Sequence, residues 1–160
     1  MADSIETIAS NIREGYARGA GAGMGALGSL MADRIEILHE PLQRGDGMWK
    51  GSDWAKAEHG AIASLHKAIV GFRQDVEVTV TGENEIMTVS VMSGTLQDGT
   101  PLAHKVRSVL TFSNGKIVKS LSYTDSGSES GKLVSKALST VPEFLKLTEE
   151  IMKSRAAAGN

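Results

Sequence analysis

Three strand-like runs joined by short turns occupy residues 84–125, and they commit this part of the chain to a meander. Glu85–Thr95 alternates, with Met87, Val89 and Val91 against Thr88, Ser90 and Met92, the period of a strand with two unlike faces. Leu96-Gln97-Asp98-Gly99-Thr100-Pro101 supplies the residues of a tight turn. His104–Phe112 follows and breaks at Ser113-Asn114-Gly115-Lys116. Asn-Gly accepts the positive φ angles of a two-residue hairpin, so Ile117–Asp125 is expected to return antiparallel. Upstream, Val76, Val78 and Val80 mark Asp75–Thr81 as a strand entering the meander through Gly82-Glu83-Asn84.

The flanks read as helices. Ile5, Ile8, Ile12 and Tyr16 fall on one helical face, with Ser4 placed to cap it. The next stretch contains Gly23-Met24-Gly25-Ala26-Leu27-Gly28, which matches a dinucleotide fingerprint by letter. That fingerprint needs a preceding strand to bring the pyrophosphate to a helix N-terminus, and the segment here is helical. The run is therefore expected to be a glycine-rich turn, with Met24–Ala32 a short second helix and Asp33–Glu40 a first strand stopped by Pro41. Gly45-Asp46-Gly47 reads as a turn. Ser52 is placed to cap a helix whose stripe is Trp54, Glu58, Ala61, Ile62, Leu65 and Ile69, broken at Gly71. After the polar linker 126–131 come two helices, Lys132–Leu138 and Glu143–Lys153, the second opened by Thr140-Val141-Pro142-Glu143 in the manner of a capping box. Helices collected on one side of a meander give an α+β class with a curved antiparallel sheet enclosing a pocket.

Composition narrows the function. A chain of 160 residues with net charge −2 has no basic excess for phosphates or an anionic membrane, so neither nucleic acid nor membrane is an expected partner. The absence of cysteine excludes disulfides, thiolate metal sites and a cysteine nucleophile. The acidic start and the lack of an apolar run of about 18 residues lead to the expectation of a cytoplasmic protein. His59 and His66, seven apart on the third helix, have no third ligand at a telling spacing, and no metal or cofactor is expected.

The helical start with Tyr16, the Met31-Ala32-Asp33 step into a strand ending His39-Glu40-Pro41, the Trp49-Lys50-Gly51-Ser52 lead into a helix, and the hairpin Phe112–Val118 together resemble the nuclear transport factor 2-like superfamily, in its SnoaL-like and ketosteroid-isomerase-like branch. The resemblance implies a cone-shaped (cystatin-like) sheet packed on N-terminal helices over residues 1–126, with 127–160 a C-terminal helical extension, and a homodimer. It places Glu40 at the position of the isomerase base and Tyr16 at that of an oxyanion donor. Ser108 falls where the isomerases carry a neutral carboxylic acid, which leaves steroid isomerisation itself in doubt. Asp125 is nearest to the carboxylate of SnoaL-like cyclases. The arginine-plus-carboxylate pattern of the epoxide hydrolases is missing, because Arg107 alternates away from Ser108.

The period of two adds detail. His104, Val106, Ser108, Leu110 and Phe112 share one face, as do Ile117, Leu121, Tyr123 and Asp125, so His104 and Asp125 are expected to form an acid/base pair beside a pocket walled by Val106, Leu110, Tyr123, Trp49 and Trp54. Alternation of Ile35 and Ile37 turns His39 inward, whereas a bulge before Pro41 would turn Glu40 inward; both stand as candidate bases. Tyr16 reads equally as a core tyrosine, and Asp125 as a turn cap. The function expected is binding of a small hydrophobic, carbonyl-bearing molecule with proton transfer on it. The alternative is a binding or assembly module without chemistry.

Overall fold

The structure is a computed structural model and describes residues 2–159. It opens with α1 (Ile5–Ala17), whose first turn is capped as expected: Ser4 Oγ accepts from the Thr7 amide at 3.2 Å. Ile8 and Ile12 are buried beneath it. The glycine run does not form a turn. Gly21, Gly23 and Gly25 lie inside α2 (Ala20–Ser29), and the break between the helices falls at Arg18 and Gly19. Glycine is a poor helix former, yet packing overrides propensity here, because a Cβ on Gly23 would overlap the Tyr16 ring that lies against it.

β1 (Met31–Glu40) leads through a cis Glu40–Pro41 peptide into a loop, then β2 (Gly47–Lys50), a short strand the sequence did not announce, pairs back with Ile35 opposite Trp49. α3 (Gly51–Ala68) starts one residue before Ser52, with Lys50 in the cap position, and yields to a strand at Ile69 instead of running to Gly71. The meander follows as β3 (Ile69–Gly82), β4 (Glu85–Leu96), β5 (Pro101–Ser113) and β6 (Lys116–Tyr123). Asn114 and Gly115 both take positive φ, the requirement of the Asn-Gly hairpin. At the far end Gly71 (φ +66°) and Gly94 (φ +149°) flank a register shift that bends the long β3–β4 pair.

Strand order is β2-β1-β6-β5-β4-β3. The sheet is mixed instead of wholly antiparallel, because the chain returns to lay β6 parallel to β1. Its outer strands β2 and β3 stay unpaired with each other, so it curves without closing. α4 (Glu129–Ser139) and α5 (Pro142–Ala157) pack on α3. The capping box proposed at Thr140 is not made: its hydroxyl donates to the Ala137 carbonyl at 2.7 Å, finishing α4 instead of opening α5.

Two apolar clusters hold these layers. One joins Ile12, Ile35, Ile37, Ile86 and Ile117 between α1 and the sheet; the other joins Ile62, Leu65, Ile69 and Leu102 with Ala137 and Val141 from α4 and its end. Each fully buried isoleucine contributes about 1.5–3 kcal/mol. Leu27 and Met31 pack against both clusters, and the space between them is not filled.

Candidate functional site

A cavity of about 250 Å3 lies between the concave face of the sheet and α1–α4. Its walls are Met24, Leu27, Met31, Trp54, Val76 and Leu110 with their neighbours, and into this apolar lining a few polar groups project. Their positions follow from strand parity. On β1 the inward face is Ile35, Ile37, His39, so His39 lines the cavity and Glu40 is exposed.

His39 is held by Asp46, in the loop between β1 and β2. Its Nδ1 stands 2.5 Å from Asp46 Oδ1, while Asp46 Oδ2 accepts from the His39 amide (2.9 Å) and the Gln43 amide (3.1 Å). Burial pushes the Asp46 carboxyl up, but these hydrogen bonds from Gln43 and His39 outweigh it and hold the carboxyl below its ordinary value. An ionised Asp46 only accepts, so Nδ1–H donates to it, and in the uncharged form of the ring Nε2 is the nitrogen left to accept a proton.

Glu58 is the second group. α3 carries it at helical spacing from Trp54, Ala61, Ile62 and Leu65, all of which line the cavity. Its half-buried side chain lines the cavity, and loss of solvation there raises its pKa from 4.5 to about 7. Burial, then the Glu58 charge, push the Tyr16 hydroxyl well above its ordinary value, which keeps it a neutral donor. On β3, Gln74 donates through its amide nitrogen to Ser90 Oγ at 2.8 Å, and its Oε1 is buried without a partner.

No family model and no curated protein sequence matches the chain. Solved structures do. An NTF2-like protein from Burkholderia thailandensis superposes with a TM-score of 0.58 at 20% identity, over 84% of this chain and 97% of that one. The chain has the nuclear transport factor 2-like fold. Two proteins bearing the name SnoaL-like polyketide cyclase are similar as well: one from Mesorhizobium loti (TM-score 0.54, 19% identity, 76% of this chain, 99% of that one) and one from Jannaschia sp. (0.53, 18%, 86% and 92%).

Within this nuclear transport factor 2-like frame the expected residues separate. Tyr16, His39, Trp54, Val106, Ser108 and Leu110 line the cavity. Glu40 points out. Trp49 lies in the core, edge-on to Trp54 at 5.0 Å, and does not reach the cavity. Ser108 Oγ is 2.8 Å from Ser122 Oγ, so each hydroxyl is the other's partner. The pairing of His104 with Asp125 is not made. A bulge at Val118 sets Phe112 against Ile117 but Thr111 against Lys119, which reverses the parity of β6. Beyond Ile117 it is Ser120, Ser122 and Thr124 that face inward, while Tyr123 turns out beneath Arg107 (4.2 Å). Asp125 is exposed and accepts from the Gly127 amide, capping a turn. His104 is buried between Ser130 Oγ (2.8 Å) and Thr124 Oγ1 (3.2 Å), its pKa lowered by burial.

Nothing in the sequence marks Asp46 beyond its place in a glycine-flanked turn. A glutamate inside the apolar stripe of α3 was the signal available for Glu58. His59 and His66 are both exposed, and among the described residues no cluster of three potential ligands stands together. No helix among them is long and apolar enough to cross a membrane.

Proposed function

We propose that this chain binds a small apolar molecule bearing a carbonyl group and moves a proton on it. A cavity of roughly 150 Å3 accommodates benzene, so 250 Å3 suits a ligand of one or two rings. His39 is the base. Its Nε2 takes a proton from the carbon beside the carbonyl, the electrons of that C–H bond move into a new C=C bond, and the carbonyl oxygen becomes an enolate oxygen. Tyr16 and protonated Glu58 donate hydrogen bonds to that oxygen. Return of the proton to a different carbon isomerises the molecule; where a hydroxyl stands on the β-carbon, the enolate electrons expel it, the proton on Nε2 passes to it, and it leaves as water. The observation carrying this reading is that a carboxylate-backed imidazole and a carboxyl whose pKa is raised to about 7 line one apolar cavity.

The test is deuterium exchange. Wild-type protein is incubated in D2O with one- and two-ring ketones, and label at the α-carbon is followed by NMR. A general base contributes about 10²–10⁴ in rate, so His39→Gln is expected to slow exchange at least a hundredfold with ligand binding kept. Binding without exchange would favour a carrier; exchange unaffected in His39→Gln removes His39 from the mechanism. The homodimer belongs to the same proposal, since the outer face of the sheet presents Val89, Val91, Val109 and Leu121 half-buried, and native mass spectrometry counts the subunits.

A further inference from the structure

The last helix reaches back to the loop that carries Asp46. Arg155 of α5 is buried at 8% exposure. Its Nη1–H donates to the Gly45 carbonyl and its Nη2–H to the Met48 carbonyl, both at 3.1 Å, and its guanidinium carbon lies 3.8 Å above the Trp49 ring. Trp49 Nε1–H donates to the same Gly45 carbonyl at 2.8 Å. Two donors from two elements therefore fix the one peptide that precedes Asp46. The planar fork of an arginine presents two separate nitrogens to two carbonyls in a fixed geometry, which the single ammonium nitrogen of a lysine does not reproduce. Asp53 is near enough to favour the charge, but the hydrogen bonds of the fork go to the 45 and 48 carbonyls, and a long apolar side chain from α5 could have packed on Trp49 without making them. What the fork adds is a fixed position for the 45–48 backbone.

We propose that Arg155 is a positioning residue for the site, holding the 45–48 backbone so that Asp46 keeps His39 as the Nδ1–H tautomer with Nε2 free. This assigns the C-terminal extension a part in the chemistry, and it rests on the reading of His39 as the base. The order of action is α5 to loop to carboxylate to imidazole. Arg155 touches neither the cavity nor a ligand in it. If the loop is released, Asp46 loses its aim and His39 is free to adopt the other tautomer, whose Nε2 carries the proton and accepts none.

The experiment uses full-length protein labelled with 15N-histidine. The short bond to Asp46 gives a strongly deshielded His39 Nδ1 proton, assigned by its disappearance in Asp46→Asn. Arg155→Ala is expected to abolish that resonance and to shift the ring nitrogens toward a tautomer mixture, while the amide resonances of the β4–β6 meander stay in place. Free guanidinium, which fits the space the side chain leaves, is expected to restore the signal. Arg155→Lys keeps the stem over Trp49 and is read in the same way should Arg155→Ala fail to fold; it is expected to weaken the resonance. A full-strength resonance in either folded variant, or none in the wild type, overturns the proposal. The readout needs no substrate: a lost resonance beside a chain that exchanges no ketone proton would sink the proton-transfer reading and keep the clamp.

Discussion

From pH 4 to pH 8, the stability of Glu58→Gln relative to the wild type is expected to rise by about 3 kcal/mol, from almost no difference at pH 4. The sign follows from the direction of the shift. Glu58 has an ordinary pKa of 4.5 and a folded value of about 7. At pH 4 it is neutral in both states, and the folded chain bears almost no penalty. Between the two values the unfolded chain releases a proton that the folded chain keeps, so stability falls as pH rises. Above pH 7 both states are ionised and the whole cost of burying the charge is present. At about 1.4 kcal/mol per pKa unit this amounts to about 3 kcal/mol. His104 works in the other direction, because its folded pKa is lowered and stability is lost as pH falls below its ordinary 6.5. For that reason the wild-type curve alone decides little, and the difference between wild type and Glu58→Gln is the quantity to read. Urea midpoints at four pH values give it. Parallel curves would show that the carboxylate is solvated and remove Glu58 as a neutral donor at pH 7.

The same residue shows what a sequence reveals and what it hides. Period-two alternation correctly placed Val106, Ser108 and Leu110 on the concave face, because β5 runs without interruption from Leu102 to Thr111. It failed on β6 for one reason. The bulge at Val118 exchanges inside for outside, and nothing in Ile117-Val118-Lys119 distinguishes a bulged residue from a regular one. Tyr123 and Asp125 went to the wrong face together, and the His104–Asp125 pair was lost with them.

On β1, the alternation of Ile35, Ile37 and His39 indicated the inward residue correctly, whereas the carry-over from steroid isomerases indicated Glu40. Local parity proved the better guide there, since at 18–20% identity the similar folds do not fix which residue of a strand end faces in. Asp46 was hidden for a different reason. Its partner is seven residues away across a loop, and only the pairing of β2 with β1 brings the two together. The glycine run misled in the other direction: a ten-residue segment with four glycines forms a helix because alanine, methionine and leucine fill much of the rest of it and α1 and α3 cover two of its sides.

Gly51→Ala is expected to destabilise the chain by about 3 kcal/mol or more, while Gly25→Ala, in the fingerprint-like run, should stabilise it by about 0.5–1 kcal/mol. Both glycines are helical and neither has a positive φ, so backbone conformation does not distinguish them. Space does. A Cβ on Gly51 would collide with the Ala32 carbonyl oxygen and come within 3.1 Å of its carbon, and these are backbone atoms of β1 that cannot turn aside. A Cβ on Gly25 meets nothing within 4 Å. The close approach at Gly51 is what seats the first turn of α3 on β1, and from that seat the helix directs Trp54 and Glu58 into the cavity. Lifting it would move both side chains together. With a slope of about 1–3 kcal/mol per molar urea, the Gly51→Ala midpoint should fall by more than 1 M, and the Trp49 and Trp54 fluorescence of whatever remains folded should shift. A Gly51→Ala protein as stable as the wild type would mean that α3 does not rest on Ala32. A Gly25→Ala protein as damaged as Gly51→Ala would restore a special role for the glycine run that the helix at 20–29 otherwise removes.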